Sequence, residues 1–113
     1  MSAPYVPVRR AGGWLVVSGQ IGLGPDGLAE GFEGQLRQAL ANLDELLAAE
    51  GARADQVAKA TVFLTDMDDY AALNEIYTGY FAEPRPARTC VAVAGLPLGA
   101  LVEVEAWVWT GDG

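Results

Sequence analysis

Along this chain the apolar positions first alternate and then step by three or four. Residues 5–9 (YVPVR) and 14–18 (WLVVS) predict two short strands, with Gly12 and Gly13 supplying the turn between them. The GQIGLGPDG segment that follows is rich in glycine, yet no helical pattern opens on it as a phosphate cradle requires. It predicts a loop. From Phe32 to Glu50 the residues Phe32, Leu36, Leu40, Leu43 and Leu47 form one stripe of an amphipathic helix, and Gly51 provides its stop. In VAKATVFLT the period returns to two: Ala58, Ala60, Val62 and Leu64 take one face of a strand, Lys59, Thr61 and Thr65 the other.

A second helical stripe of Tyr70, Leu73, Ile76, Tyr77 and Tyr80 comes after Asp66, Asp68 and Asp69. Carboxylates there predict helix caps, because they accept from free N–H groups and meet the positive end of the helix dipole. Pro84 and Pro86 close the helical region, and the strands RTCVAVA and LVEVEAWVW follow on either side of a GLPLGA turn. The order β-β-α-β-α-β-β predicts an α+β fold forming a single domain over residues 1–113. Its sheet has four or five strands, and two helices cover only one face of it.

The last strand bears on assembly. Val102, Val104, Ala106 and Val108 make one apolar face for the helices to cover, while the opposite face carries Leu101, Glu103, Glu105, Trp107 and Trp109. Two tryptophans and a leucine on an uncovered face make too large an apolar patch for water, which predicts an oligomer.

Composition narrows the function. With 113 residues, 51% hydrophobic and 19% charged, the chain is one globular unit with a single core. No apolar run approaches the ~20 residues of a membrane helix, so no membrane partner is expected. MSAPYVPVRR lacks the hydrophobic stretch of a secretory signal, and a lone cysteine fits a reducing compartment, so a cytoplasmic location is expected. A formal charge of −8 and only seven basic residues disfavour nucleic acid. The absence of histidine removes the commonest general base, the usual zinc ligand and the Ser–His and Cys–His nucleophile pairs.

Few groups remain to carry chemistry. Arg88, opening the strand after the proline loop, could hold a carboxylate through paired hydrogen bonds or could pair with a structural acid. Glu103 and Glu105 share a face with the tryptophans. Burial and mutual repulsion there would raise a pKa for acid–base work, whereas a rim position would leave them pairing with Lys or Arg. Two carboxylates alone make a poor metal site. Cys90, with no histidine to activate it, reads as a small buried hydrophobe. Tyr5 and Ser18 are isolated hydroxyls with no role legible from spacing.

The segment VAKATVFLTDMDDYAALNEIYTGYF, followed by PARTCVAVAGLP and VEVEA, closely resembles the RidA/YjgF family of enamine/imine deaminases, as do SGQIG and LRQALANL. The resemblance is collinear and runs from about Tyr5 to Trp109. It implies a chorismate-mutase-like fold, a homotrimer with ligand sites in the clefts between subunits, and hydrolysis of 2-imino or enamine acids to 2-keto acids and ammonia. It implies neither cofactor nor metal. By the same resemblance Arg88 anchors the substrate carboxylate, Glu103 is the catalytic acid–base, and Cys90 contributes backbone groups. Tyr5 is the N-terminal pocket tyrosine, and Ser18 and Asn74 line or support the cleft. The chain departs from the family pattern around this pocket. AEPRPAR is short and has no aromatic before PAR, Gly22 stands where proline is usual, Ala92 replaces an acid, and Gly95 replaces a base. These changes bear on substrate size and rate.

Three other functions compete. A non-catalytic trimer could sense a small carboxylate in the same cleft. A chorismate-mutase-like enzyme would need several cations around a dicarboxylate. A ribonuclease would have to work with a charge of −8 and no histidine. Related assemblies on one fold host different functions, so the site must decide.

Overall fold

The computed structural model describes residues 3–111. Its main sheet has five strands, β1 (Val8–Ala11), β2 (Trp14–Ile21), β5 (Val57–Leu64), β6 (Ala87–Ala92) and β7 (Val102–Trp109), in the spatial order β1-β2-β7-β5-β6. All neighbours are antiparallel except β5 and β6, which are parallel. A parallel pair needs a crossover, and α2 (Tyr70–Tyr80) provides it. The longer helix α1 (Gly31–Ala49) lies against β2, β7 and α2. Both helices cover one face, in agreement with the expected α+β layering.

The core forms where the two periods meet. Val102, Val104, Ala106 and Val108 are fully buried on β7, and Leu36, Leu43, Leu47 and Leu73 meet them from the helices. Helix α1 ends as its Gly51 predicts. Gly51 takes φ 74°, its N–H donates to Ala48 O at 3.0 Å, and Ala52 N–H donates to Leu47 O at 2.8 Å, so the last carbonyls are satisfied.

Four local expectations are corrected. The first strand begins at Val8, which leaves Tyr5 in irregular chain, 65% exposed. The glycine-rich stretch is not simply a loop. β2 continues through Gly19 to Ile21, and β3 (Leu23–Gly24) pairs with β4 (Gly27–Leu28) in a small hairpin. Asn42 of α1 holds this hairpin by donating to Ile21 O at 3.2 Å and Leu23 O at 2.9 Å. Ala58 is exposed although Ala60, Val62 and Leu64 are buried, because the β5–β7 register shifts between Val57 and Lys59 and makes Ala58 the extra residue of a bulge. Of the three aspartates only Asp66 caps, its Oδ1 accepting from Asp68 N–H at 2.9 Å, whereas Asp69 makes no side-chain cap.

The uncovered face carries Trp14, Trp107 and Trp109 in one cluster. Trp14 lies edge-on to both others, with ring centroids 5.9 and 4.9 Å away. In the single chain Trp107 and Trp109 remain 46% and 40% exposed.

Candidate active site in two halves

The residues expected at the site gather in two separate places. The first lies at the edge strand β6. Arg88 is in register with Ala60, and Cys90 with Val62, both of which face the helices; Arg88 accordingly runs toward α2. Its guanidinium carbon lies 4.7 Å from the ring centroid of Tyr77 and 5.5 Å from that of Tyr70, and Nη2 donates to the Tyr70 hydroxyl at 3.1 Å. Asn74 belongs to the same helix, one turn from each tyrosine. Among the described residues the ion pairs are Arg10–Glu50 and Arg53–Asp55, so Arg88 has no carboxylate partner there. The reading of Arg88 as a structural ion-pair partner loses its support.

The edge also leaves backbone groups unused. Val93 N–H donates to Leu64 O at 2.8 Å, and strand groups alternate in direction. The main-chain groups of Val91 and Thr89 therefore face β5, while those of Arg88 and Cys90 face outward. Burial pushes the Cys90 thiol up, and the nearby Arg88 charge only partly offsets it. A thiol held in its protonated form is a poor nucleophile.

The second half lies on β2 and β7. Glu103 projects from β7 between the buried Val102 and Val104, so it belongs to the uncovered face. Burial, and after it the negative charge of Glu105, raises the Glu103 carboxyl above the usual carboxylate range. Neither glutamate is ion-paired among the described residues. Gly19 sits against Glu103 where the β2–β7 register shifts; a methyl group on Gly19 would come within 2.5 Å of the Glu103 carboxyl carbon. Beside it, Ser18 fastens the N-terminal segment. Its Oγ donates to Val6 O at 2.7 Å and its N–H donates to Pro7 O at 2.9 Å, which brings the exposed Tyr5 to this half.

The chain thus places Arg88 and Cys90 on β6 beside the helix that carries Asn74, and Glu103 beside Gly19, whose neighbour Ser18 fastens the segment that follows Tyr5, but it does not bring one group to the other. Two concave features lie elsewhere. A groove of about 580 Å³ runs between α1 and α2 past Arg37, Asp44, Glu75 and Tyr80, and a smaller one of about 350 Å³ lies between α1 and the β1–β2 end of the sheet. Neither is lined by the expected site residues. Among the described residues no cluster of three or more His, Cys, Asp or Glu is placed to hold a metal ion, and no helix is long and apolar enough to cross a membrane.

Sequence reasoning missed Tyr70, Tyr77 and Gly19 as site residues. The two tyrosines were legible only as part of a core stripe, although their spacing of two turns could have marked a shared partner. A glycine inside a strand is a sign of close approach by another group, and at Gly19 that group is Glu103.

Fold and geometry together define a two-layer α+β protein with an arginine at one sheet edge and a glutamate on its open face, neither ion-paired among the described residues. Residues 1–110 match the family described as Endoribonuclease L-PSP. The mouse protein named 2-iminobutanoate/2-iminopropanoate deaminase is 42% identical over 106 residues, covering 91% of this chain and 78% of the mouse protein. The crystal structure of RidA from an Antarctic Psychrobacter bacterium superposes with a TM-score of 0.92 at 37% identity, over 96% of this chain and 90% of that one. The E. coli TdcF crystal structure with bound serine gives a TM-score of 0.90 at 34% identity, over 98% and 91%. The chain belongs to this family, the RidA/YjgF family that its sequence blocks resemble.

Proposed function

We propose that this protein hydrolyses 2-imino acids, or their enamine tautomers, to 2-keto acids and ammonia. It does so without a cofactor, as a cytoplasmic homotrimer of the chorismate-mutase-like architecture. The observation that carries this reading is a pair of groups unmatched among the described residues: a guanidinium without a carboxylate partner, and a carboxylate without a cation whose pKa burial raises. The family resemblance gives the first position to substrate binding and the second to catalysis. Because they lie on opposite faces of the sheet, a site using both must form between two copies. The exposed tryptophan cluster supplies the apolar surface for such an interface.

The chemistry follows from these groups. Arg88 takes the carboxylate of the imino acid through its free N–H donors and fixes the C=N carbon in place. Glu103 accepts a proton from a water as its oxygen bonds to that carbon, giving a carbinolamine. The Cys90 carbonyl, pointing outward from the edge, helps orient this water. Glu103 then returns the proton to the amine, the C–N bond breaks, and the carbinolamine hydroxyl gives its proton back to Glu103 as the ketone forms and ammonia leaves. A protonated imine is already electrophilic, so histidine is not required.

A second reading has its own support. The E. coli relative holds serine, an amino acid with a carboxylate, which fits a trimer that binds small carboxylates without turnover. The family description as an endoribonuclease draws no support from a chain of charge −8 without histidine.

The test couples an enzymatic source of short-lived imino acid to the purified protein and follows keto-acid appearance. Wild type accelerates release, and Arg88→Ala and Glu103→Ala each lower it by at least ~100-fold. If wild type accelerates no imino acid, small or bulky, the hydrolase reading fails and the binding trimer stands.

A further inference from the structure

Arginines that serve only the fold usually spend their donors on carboxylates or carbonyls. Arg88 is held differently. Tyr70 and Tyr77 are seven residues apart on α2, two turns or about 10 Å along one face. The guanidinium carbon approaches both rings, 5.5 Å from the Tyr70 centroid and 4.7 Å from that of Tyr77. Contact with a ring face attracts the cation without consuming an N–H. The one hydrogen bond runs from Nη2 to the Tyr70 hydroxyl at 3.1 Å, and Nε and Nη1 have no partner among the described residues. The two halves of the platform differ in burial, Tyr70 being 40% exposed. Tyr77 is 3% exposed and packs against Phe81 with centroids 4.7 Å apart.

We propose that Tyr70 and Tyr77 are positioning residues for Arg88, the ring faces setting the plane of the guanidinium and the Tyr70 hydroxyl setting its rotation. The remaining donors are then presented as a preformed fork for a ligand carboxylate. This rests on the reading of Arg88 as a carboxylate anchor and adds how the anchor is made ready. A free arginine loses rotamer freedom when it binds; one already clamped loses less, and the gain appears in affinity and not in the bond-breaking step. An ion pair could not do the same, because it would occupy the fork that the ligand needs.

The experiment uses the intact protein with Tyr70→Phe, which keeps the ring and removes the hydroxyl, and Tyr70→Leu, which removes both. With a short 2-imino acid, Tyr70→Phe raises KM roughly three- to tenfold while kcat changes less than about twofold, and Tyr70→Leu raises KM further. Pyruvate, a short 2-keto acid of the product class, serves as probe for binding alone, and its Kd rises by the same factor. NMR of the Arg88 guanidinium gives a readout that a general loss of stability does not imitate: hindered rotation in wild type becomes free in Tyr70→Phe. Unchanged KM, pyruvate affinity and guanidinium rotation in Tyr70→Phe, with an active wild type, overturn the clamp alone. If wild type neither turns over imino acid nor binds pyruvate, the carboxylate-anchor reading falls and the clamp with it. If wild type binds pyruvate without turnover, the Kd of Tyr70→Phe decides.

Discussion

Arg88 and Glu103 lie on opposite faces of one sheet, with the whole of β5 between their strands. Arg88 turns toward the helices at the free edge, and Glu103 turns toward the face that no helix covers. No side-chain rotation within the chain brings them together, since the sheet itself stands between. Their cooperation on one substrate therefore requires an edge from one copy and an open face from another.

That arrangement makes complementation a sharp test. Arg88→Ala and Glu103→Ala are each expected to be inactive as pure proteins. Dissociated together and reassembled at equal ratio, they form mixed trimers in which one of the interfaces joins an intact Arg88 to an intact Glu103. Random mixing recovers about a quarter of wild-type activity in the proposed cyclic trimer. Recovery of none, with mixed trimers demonstrated by mass spectrometry, would show that both groups must come from one subunit.

Gly19 provides an independent probe of Glu103. A methyl group there meets the end of the glutamate side chain, its three nearest contacts of 2.5 to 2.9 Å all being to the Glu103 carboxyl and Cγ atoms. The side chain can swing away, so Gly19→Ala displaces the acid–base group without breaking the sheet. We expect kcat to fall ~10- to 100-fold while Tm moves by only a few degrees. Steady-state kinetics beside a thermal melt checks it; an unchanged kcat would remove Glu103 from the chemistry in its present orientation.

Much of the fold was legible because its main signals are periodic. Val102, Val104, Ala106 and Val108 alternate without a break, and the strand they form lies near the middle of the sheet, where one face must be apolar. The leucine stripe of α1 was equally plain. Ala58 was not, since a bulge inserts one residue and inverts the face of everything before it, and nothing in local hydropathy marks the insertion. The β3–β4 hairpin has strands of two residues each, too short to show alternation. For the site, Arg88 and Glu103 were visible as residue types, but the side of the sheet each occupies depends on strand order and on the parallel β5–β6 register. Tyr70 and Tyr77 fit the pattern of core residues, and only the approach of Arg88 to both rings separates them from it.

The pH dependence of turnover is the next consequence. Glu103 must be ionised to take a proton from water, and burial together with the Glu105 charge raises the pH at which it ionises. Activity should therefore decline on the acid side as Glu103 becomes protonated. Glu105→Gln removes the repulsion but leaves the burial, so the Glu103 pKa drops and the acid limb moves to lower pH. Profiles of kcat against pH for the two proteins test this. A limb that stays in place or moves upward would mean that a group other than Glu103 controls it.

Among the described residues Gln35 is the one buried polar side chain of the core, 6% exposed on α1. Its Oε1 accepts from Leu101 N–H at 2.8 Å, which ties the second turn of the sheet-facing helix to the residue that leads into β7, two positions before Glu103. The backbone of Gln35 also lies directly beneath Gly22, where a methyl group would come within 2.4 Å of its carbonyl oxygen, so the helix is pressed close at this point. Gln35→Leu keeps the volume and removes the acceptor, leaving the Leu101 N–H without its partner in a place that water reaches poorly. The cost should be about 1–2 kcal/mol, or a Tm lowered by several degrees for a domain of this size. Thermal and denaturant unfolding measure it directly. If Gln35→Leu proves as stable as wild type, the Leu101 N–H has found another acceptor and the link from α1 to β7 carries no weight. A clear loss would mean that the strand bearing Glu103 is held in place from the helix layer as well as through the sheet.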